Sequence, residues 1–293
     1  MNDYLLAVIL GIIEGLTEFL PVSSTAHLRI AEGLMGVDLS DGYWKMFSIV
    51  IQLGAILSLP LYFRARLKEF ISTFPKGLRG DLTVLTHPAT LIMIAFVCTA
   101  VPSLLLKKVI GKNLENIPAM GMALLIGGII MWLVDYIYRP MPDKKAKTRR
   151  LDRTSLGQAI FIGFCQTLGP VFPGTSRSMA TIASAQISGM SRTVALEFSF
   201  LLSIPTMFAA TGYELVKALS PGKSEAAAGS IHVDSHGAVL LLIGGLVSFV
   251  VAYAVVAWFM QWVRNRGFTI FAIYRIIAGA AVIFFAKQIA GVH

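Results

Sequence analysis

Long apolar runs separated by short polar stretches set the pattern of this chain. Runs at about 46–63, 85–106, 118–138, 193–216, 237–262 and 268–290 each approach the roughly 20 residues a helix needs to cross a bilayer. Two further apolar stretches, 4–35 and 155–190, are broken in the middle by "LPVSST" and "FPGTSRS", leaving halves of about 10 to 15 residues, too short to span. Such halves predict a helix, a turn at membrane depth and a helix back out, and irregular backbone at that depth is tolerated only where it lines a cavity. The pattern predicts an all-α integral membrane protein with six transmembrane helices plus two re-entrant helix pairs.

Composition agrees with this pattern. The 293 residues are 56% hydrophobic and only 14% charged, with a mean hydropathy of +0.72, far from soluble averages of roughly 45–50% apolar and 25% charged. That length leaves no room for a large soluble domain, so a single membrane domain is expected over 1–293. No Lys or Arg precedes Arg29 and Asp3 stands near the start. The basic region of a cleavable signal peptide is therefore missing, and the start is expected to be retained. Cys98 and Cys165 sit in apolar segments without CxxC or metal spacing and read as small core residues.

The net charge of +9 is concentrated in two loops. Arg64, Arg66, Lys68, Lys76 and Arg79 fall in 64–84, and Arg139, Lys144, Lys145, Lys147, Arg149, Arg150 and Arg153 in 139–153. By the positive-inside rule both loops are cytoplasmic. Alternation then places loops 107–117 and 217–236 and both chain ends outside, with Arg264 and Arg266 inside. The charge is thus a topology signal, and no nucleic-acid partner is expected. In the loop "SPGKSEAAAGSIHVDSHG", His232 and His236 read as solvated residues rather than a metal site.

The two broken stretches resemble each other. "GIIEGLTEFLPVSSTAH" from Gly11 set over "GFCQTLGPVFPGTSRSM" from Gly163 pairs Glu14 with Gln166, Leu16 with Leu168, Pro21 with Pro173 and Ser24 with Ser176. "MFSIVIQLGAI" from Met46 then pairs with "EFSFLLSIPTM" from Glu197. With three spans between the copies, they must run in opposite senses. An inverted-topology repeat follows, repeat 1 at about 1–138, a cytoplasmic basic linker at 139–154 and repeat 2 at about 155–290, with the functional site expected where the broken helices meet near the midplane.

That site has recognisable chemistry. Glu14 and Glu18 are four apart and share a helix face. Two carboxylates at membrane depth either share a proton or hold a divalent cation through oxygen ligands, unless they merely lie at a wet interface. After Pro21, Ser23 or Ser24 can cap a second half-helix, with His27 over the same face. The pair suits a nucleophile and a base, or a histidine that itself attacks phosphorus; a plain cap with a histidine bonded to a backbone carbonyl is the simpler alternative. In "PGTSRSMAT", Arg177 stands among Thr175, Ser176, Ser178 and Thr181 at a helix start, suited to a phosphate, though it could instead be a counter-ion to a glutamate. Together these groups describe a phosphoryl-transfer site.

"EGLTEFLPVSSTAH" and "PGTSRSMAT" resemble the two signature motifs of the undecaprenyl pyrophosphate phosphatase family linked to bacitracin resistance, ExxxE followed by PxSSxxH, and PGxSRSxxT. Both patterns are matched without departure. The resemblance implies removal of the terminal phosphate of undecaprenyl diphosphate on the periplasmic side of the bacterial inner membrane, recycling the lipid carrier of peptidoglycan synthesis. It also implies a divalent cation (Mg²⁺ or Ca²⁺) and a homodimer. Carried over, Glu14 and Glu18 bind or position the metal, Ser24 and His27 supply attack and proton transfer, and Arg177 clamps the diphosphate. Ser23, Thr25, Ser176, Ser178 and Thr181 act as supporting donors. Between Ser24 and His27 the attacking group stays open, with Ser24 favoured. Gln52, Glu197 and Arg275 have no motif to place them and read as packing or charge-pairing residues. The competing expectation is a polyprenyl-phosphate transporter, because an inverted repeat with broken helices is also a carrier architecture. The carboxylate pair beside an anion site favours the enzyme.

Overall fold

A computed structural model describes residues 2–37, 42–75, 84–108, 110, 116–138, 146–219 and 234–290. Lys76, Arg79, Arg139, Lys144, Lys145, His232 and most of the loop expected at 217–236 lie outside them. Twelve α-helices are described: α1 (Asp3–Thr17), α2 (Ser24–Leu34), α3 (Gly42–Tyr62), α4 (Arg64–Thr73), α5 (Pro88–Leu105), α6 (Ile117–Tyr138), α7 (Leu156–Gln166), α8 (Leu168–Val171), α9 (Arg177–Ile187), α10 (Arg192–Leu219), α11 (Ser235–Arg266) and α12 (Thr269–Ala290). Among the described residues there is no strand, only an isolated bridge between Thr148 and Met190.

The helix starts follow from local sequence. Asn2 accepts a hydrogen bond from the Tyr4 N–H, His87 from Ala89 ahead of a Pro88 start, and Asp234 from Gly237. Ser155 and Gln158 form a reciprocal capping box at α7. Each cap satisfies donors that the first turn leaves free.

α5, α6, α10 and α11 are long and apolar enough to cross a membrane, and α3 with α4 gives a fifth span if that pair, bent by 63°, counts as one. A multi-pass membrane protein results. Of the six spans expected, the run at 46–63 continues through a sharp bend into the charged α4, and the run at 268–290 falls on α12, whose side chains are described as far as Phe285. Both broken stretches are helix–break–helix units, α1 with α2 and α7 with α9, the helices of each unit packing on one another.

Set side by side, with α4 and α8 left over, α1, α2, α3, α5 and α6 run in the same order as α7, α9, α10, α11 and α12. α2 begins at Ser24 and α9 at Arg177, each 11 residues long and each preceded by a serine at positive φ, 73° for Ser23 and 70° for Ser176. That shared conformation costs about 1–3 kcal/mol per residue, and it pairs Ser23, not Ser24, with Ser176. Packing is exchanged in the same way: α1 lies on α11 as α7 lies on α5, α3 on α11 as α10 on α5, and α6 meets α12. Glycines allow the close approach such crossings require. A Cβ on Gly54 would stand 2.3 Å from the Gly245 carbonyl oxygen, and one on Gly279 2.7 Å from that of Gly121.

Residues expected in the core or in charge pairs vary in burial. Cys98 and Cys165 are partly buried free thiols. Glu197 pairs with Arg66 at 2.8 Å, and exposed His236 bonds the Tyr4 hydroxyl at 3.1 Å.

Candidate active site

Residues 18–23 and 172–176, the two breaks, face each other. One side chain fastens both. Arg275 on α12, fully buried, donates through Nη1 to Pro21 O (3.1 Å) and through Nη2 to Gly174 O (3.0 Å), Thr175 O (2.9 Å) and Ala123 O (3.2 Å). The carbonyls of Pro21, Gly174 and Thr175 lie in the breaks, outside the helices, while that of Ala123 belongs to α6, and a guanidinium with five donors satisfies several at once. Ser178 Oγ adds a second tie, donating to Leu20 O at 2.9 Å. Sequence pattern assigned Arg275 only to packing or charge pairing; that it serves carbonyls of both breaks is a tertiary fact no local motif encodes.

Between the breaks, α3 and α10 lies a cavity of about 210 Å³ lined by Glu18, Ser23, Ser24, Thr25, Ser176 and Arg177 of the motifs, with Gln52, Thr206 and Thr211 from the flanking helices. Arg177 Nη2 donates to Glu18 Oε1 at 3.2 Å and Nη1 to Ser203 Oγ. This ion pair joins the two breaks. Ser24 Oγ donates to Glu18 Oε2, so the carboxylate sits between the serine and the arginine.

The spacing of Ser24 and His27 suggested a direct couple, but the structure brings each to a different partner. His27 Nδ1 lies 2.7 Å from Ser23 O, and Nε2 2.5 Å from the hydroxyl of Tyr274, whose ring stacks on the imidazole at an interplanar angle of 15°. A carbonyl only accepts, so Nδ1 carries the hydrogen and the neutral ring's Nε2 accepts from Tyr274. Both imidazole nitrogens are thereby engaged.

The other motif hydroxyls brace the cavity wall. Ser176 Oγ caps α9 by accepting from Met179 N at 3.3 Å and lies 3.0 Å from Ser178 Oγ. Thr181 Oγ1 lies 2.5 Å from Ser199 Oγ and donates to Arg177 O at 3.0 Å. Thr25 is the exposed member at the cavity edge. Ser203, Thr206 and Thr211 escape sequence reasoning. Their signal would have been hydroxyls recurring on one face of an otherwise apolar span.

Glu14 stands behind Glu18, one carboxylate against the other. Its side chain is 0% exposed, yet neither oxygen has a hydrogen-bond partner. A buried orphan of this kind costs at least about 1–3 kcal/mol. Two adjacent carboxylates form a hard oxygen set of the type Mg²⁺ and Ca²⁺ prefer, so these residues fit the expected cation. No cluster of three His, Cys, Asp or Glu exists among the described residues. Hydroxyl, substrate and water oxygens would complete the shell, as is usual for Mg²⁺.

A second, apolar cavity of about 550 Å³ opens between α6, α7 and α9. Its walls include Met122, Ile126, Phe161, Met179 and Ala183, and Pro173 lines both cavities.

Residues 7–281 match the family model described as bacitracin resistance protein BacA. The chain is 62% identical over 289 residues to an undecaprenyl-diphosphatase of Koribacter versatilis (strain Ellin345), covering 98% of this chain and 100% of that protein. It is 40% identical over 282 residues to an undecaprenyl-diphosphatase of Rhizobium etli, covering 96% of each chain. With the protein of that name from Xanthomonas oryzae pv. oryzae it shares 36% identity over 292 residues, covering 99% of this chain and all of that protein.

Proposed function

Because this chain belongs to the bacitracin resistance protein BacA family, we propose that its two-break cavity is an active site that hydrolyses undecaprenyl diphosphate to undecaprenyl phosphate and inorganic phosphate. The observation that carries this reading is the line Ser24, Glu18, Arg177 across one polar cavity: a hydroxyl nucleophile, a carboxylate that accepts its proton and a guanidinium for the phosphate charge.

Ser24 Oγ attacks the terminal phosphorus as its proton passes to Glu18. The bond from that phosphorus to the bridging oxygen breaks, and undecaprenyl phosphate leaves. Water then cleaves the phosphoserine, releasing inorganic phosphate and restoring Ser24. Arg177, freed from part of its bond to Glu18, takes the phosphoryl oxygens in its planar fork. His27, held by Ser23 O and Tyr274, positions the first turn of α2 and the serine at its start. Glu14, with the Glu18 oxygen that Ser24 does not use, would hold a divalent cation, which when bound would supply positive charge to offset the carboxylates and the diphosphate. The diphosphate occupies the polar cavity and the first isoprene units the apolar one beyond Pro173.

In the same reading the halves form an inverted repeat of about 1–138 and 155–290 joined by a cytoplasmic linker, six segments cross the inner membrane, and the chain forms a homodimer carried over from the family resemblance. The exchanged packing of the halves supports the inverted arrangement. The cavity opens to the periplasm. It lies at Thr206–Thr211 of α10, about 14 residues or 21 Å of helix from Arg192 at the cytoplasmic end. The resulting lipid phosphate re-enters cell-wall synthesis, and a replenished carrier pool underlies bacitracin resistance.

The exchanged packing equally suits a polyprenyl-phosphate transporter. Purified protein incubated with undecaprenyl diphosphate, with Mg²⁺ and with chelator, separates the readings: phosphate released only with the cation supports the phosphatase, and intact diphosphate in both leaves the transporter.

A further inference from the structure

The correspondence of the halves identifies a residue outside the motifs. A Cβ on Gly11 would stand 2.7 Å from Gly244 O and 3.2 Å from Val247 Cβ, and one on Gly163 would stand 2.4 Å from Ala95 O and 2.8 Å from Cys98 Cβ. At this glycine the crossing of α1 on α11 matches that of α7 on α5. Three residues beyond each glycine stand Glu14 and Gln166, and four beyond the facing residue stand Ser248 and Thr99.

In the second half that equivalent pair is bonded. Gln166 Nε2 donates to Thr99 Oγ1 at 2.8 Å and to Thr206 Oγ1 at 3.1 Å, while Thr99 Oγ1 donates to Gly163 O at 2.7 Å. In the first half the crossing is unbonded: neither Glu14, which meets only the Glu18 carboxylate, nor Ser248 Oγ bonds across it, although both residues are 0% exposed. Ser248 does not even use the carbonyl four residues back, as Thr99, Ser184 and Ser203 do at 3.0, 2.7 and 2.7 Å. A buried hydroxyl and a buried carboxylate left idle where the sister pair is joined suit an oxygen-seeking ligand set between them.

We propose that Ser248 supplies a further oxygen to the divalent cation held by Glu14 and Glu18, so that α11 contributes to the site along with α1. This rests on the cation reading above and adds a residue from a helix that carries neither signature motif. A serine hydroxyl is a neutral ligand, so it tightens the site without adding charge beside the diphosphate.

The test is Mg²⁺ titration of the full-length protein in detergent, read as the rise in Tm without substrate. Ser248→Ala should match or exceed the wild-type Tm in chelator, because it deletes an unsatisfied buried hydroxyl, yet require about 10-fold more Mg²⁺ for the same rise, as loss of a supporting ligand does. Ser248→Cys should bind Cd²⁺ more tightly relative to Mg²⁺ than wild type, a thiolate preference that a packing role would not produce. Wild-type binding with unchanged Mg²⁺ and Cd²⁺ affinities in both variants would overturn the role of Ser248 alone. No cation-dependent shift in wild type, for Mg²⁺ or Ca²⁺, would overturn the cation reading and this role with it.

Discussion

Arg177 donates to Glu18 at 3.2 Å, joining a residue after the second break to one at the first. The arginine is both a wall of the cavity and a counter-ion. Removing it strands a nearly buried carboxylate, at about 3–5 kcal/mol for a buried pair. Arg177→Ala should therefore lower Tm markedly, and Glu18→Gln should restore the Tm of that variant without restoring turnover. Arg177→Lys should keep most of the stability yet lose about 100-fold in kcat, because the ammonium lacks the fork. A melting scan of the single and double variants beside their hydrolysis rates checks this; rescue of turnover by Glu18→Gln would contradict it.

Ser24 and His27 should differ sharply as variants. Ser24→Ala removes the proposed nucleophile and should abolish turnover. His27→Gln, which removes a positioning contact, should retain about 1–10% of it, and Tyr274→Phe more still, since positioned acid–base groups contribute about 10²–10⁴-fold. Equal losses for Ser24→Ala and His27→Gln, measured as initial rates of phosphate release, would move the base from Glu18 to His27.

Arg275 bonds carbonyls of both breaks and no carboxylate. Arg275→Met leaves those carbonyls orphaned and should lower Tm and activity together, with no rescue by Glu14→Gln or Glu18→Gln. A near-normal Tm would contradict the bracing role.

The apolar cavity beyond Pro173 predicts chain-length dependence. Ala183→Trp fills it, so KM for the long-chain diphosphate should rise about 10-fold, consistent with the loss of two or so buried methylenes at about 0.8 kcal/mol each, while a short-chain polyprenyl diphosphate is hydrolysed as before. Equal effects on both lipids would place the tail elsewhere.

Orientation is checked by labelling in intact cells. An impermeant thiol reagent should label Ala228→Cys and not Ala146→Cys if, as proposed, the basic loops are cytoplasmic. The reverse pattern would turn the cavity to the cytoplasmic face.

Much of this site was legible in sequence because broken apolar runs are costly in lipid and so point to a cavity. The breaks before Ser24 and Arg177 and the lack of strands among the described residues followed from hydrophobic period and from the positions of Pro21 and Pro173. The partner of Ser24 did not, since Glu18 reaches it only because the break folds the chain back, whereas helix spacing pointed to His27. Nor did the register at the breaks, where the shared positive φ at Ser23 and Ser176 marks a pairing one residue from the one the sequence suggests. Arg275, Ser203 and Ser248 were hidden for a related reason: each acts on a partner in a distant segment, and an isolated polar residue in a span carries no sign of where it points. Span counting by length missed the 63° bend after α3, a tertiary feature.

The most direct measurement is inorganic phosphate released from undecaprenyl diphosphate by the purified wild-type protein and by Ser24→Ala, in Mg²⁺. Release matched mole for mole by undecaprenyl phosphate in wild type, and none above background in Ser24→Ala at an unchanged Tm, is the expected result. Undiminished release by Ser24→Ala, or none by wild type, would contradict hydrolysis at the two-break cavity.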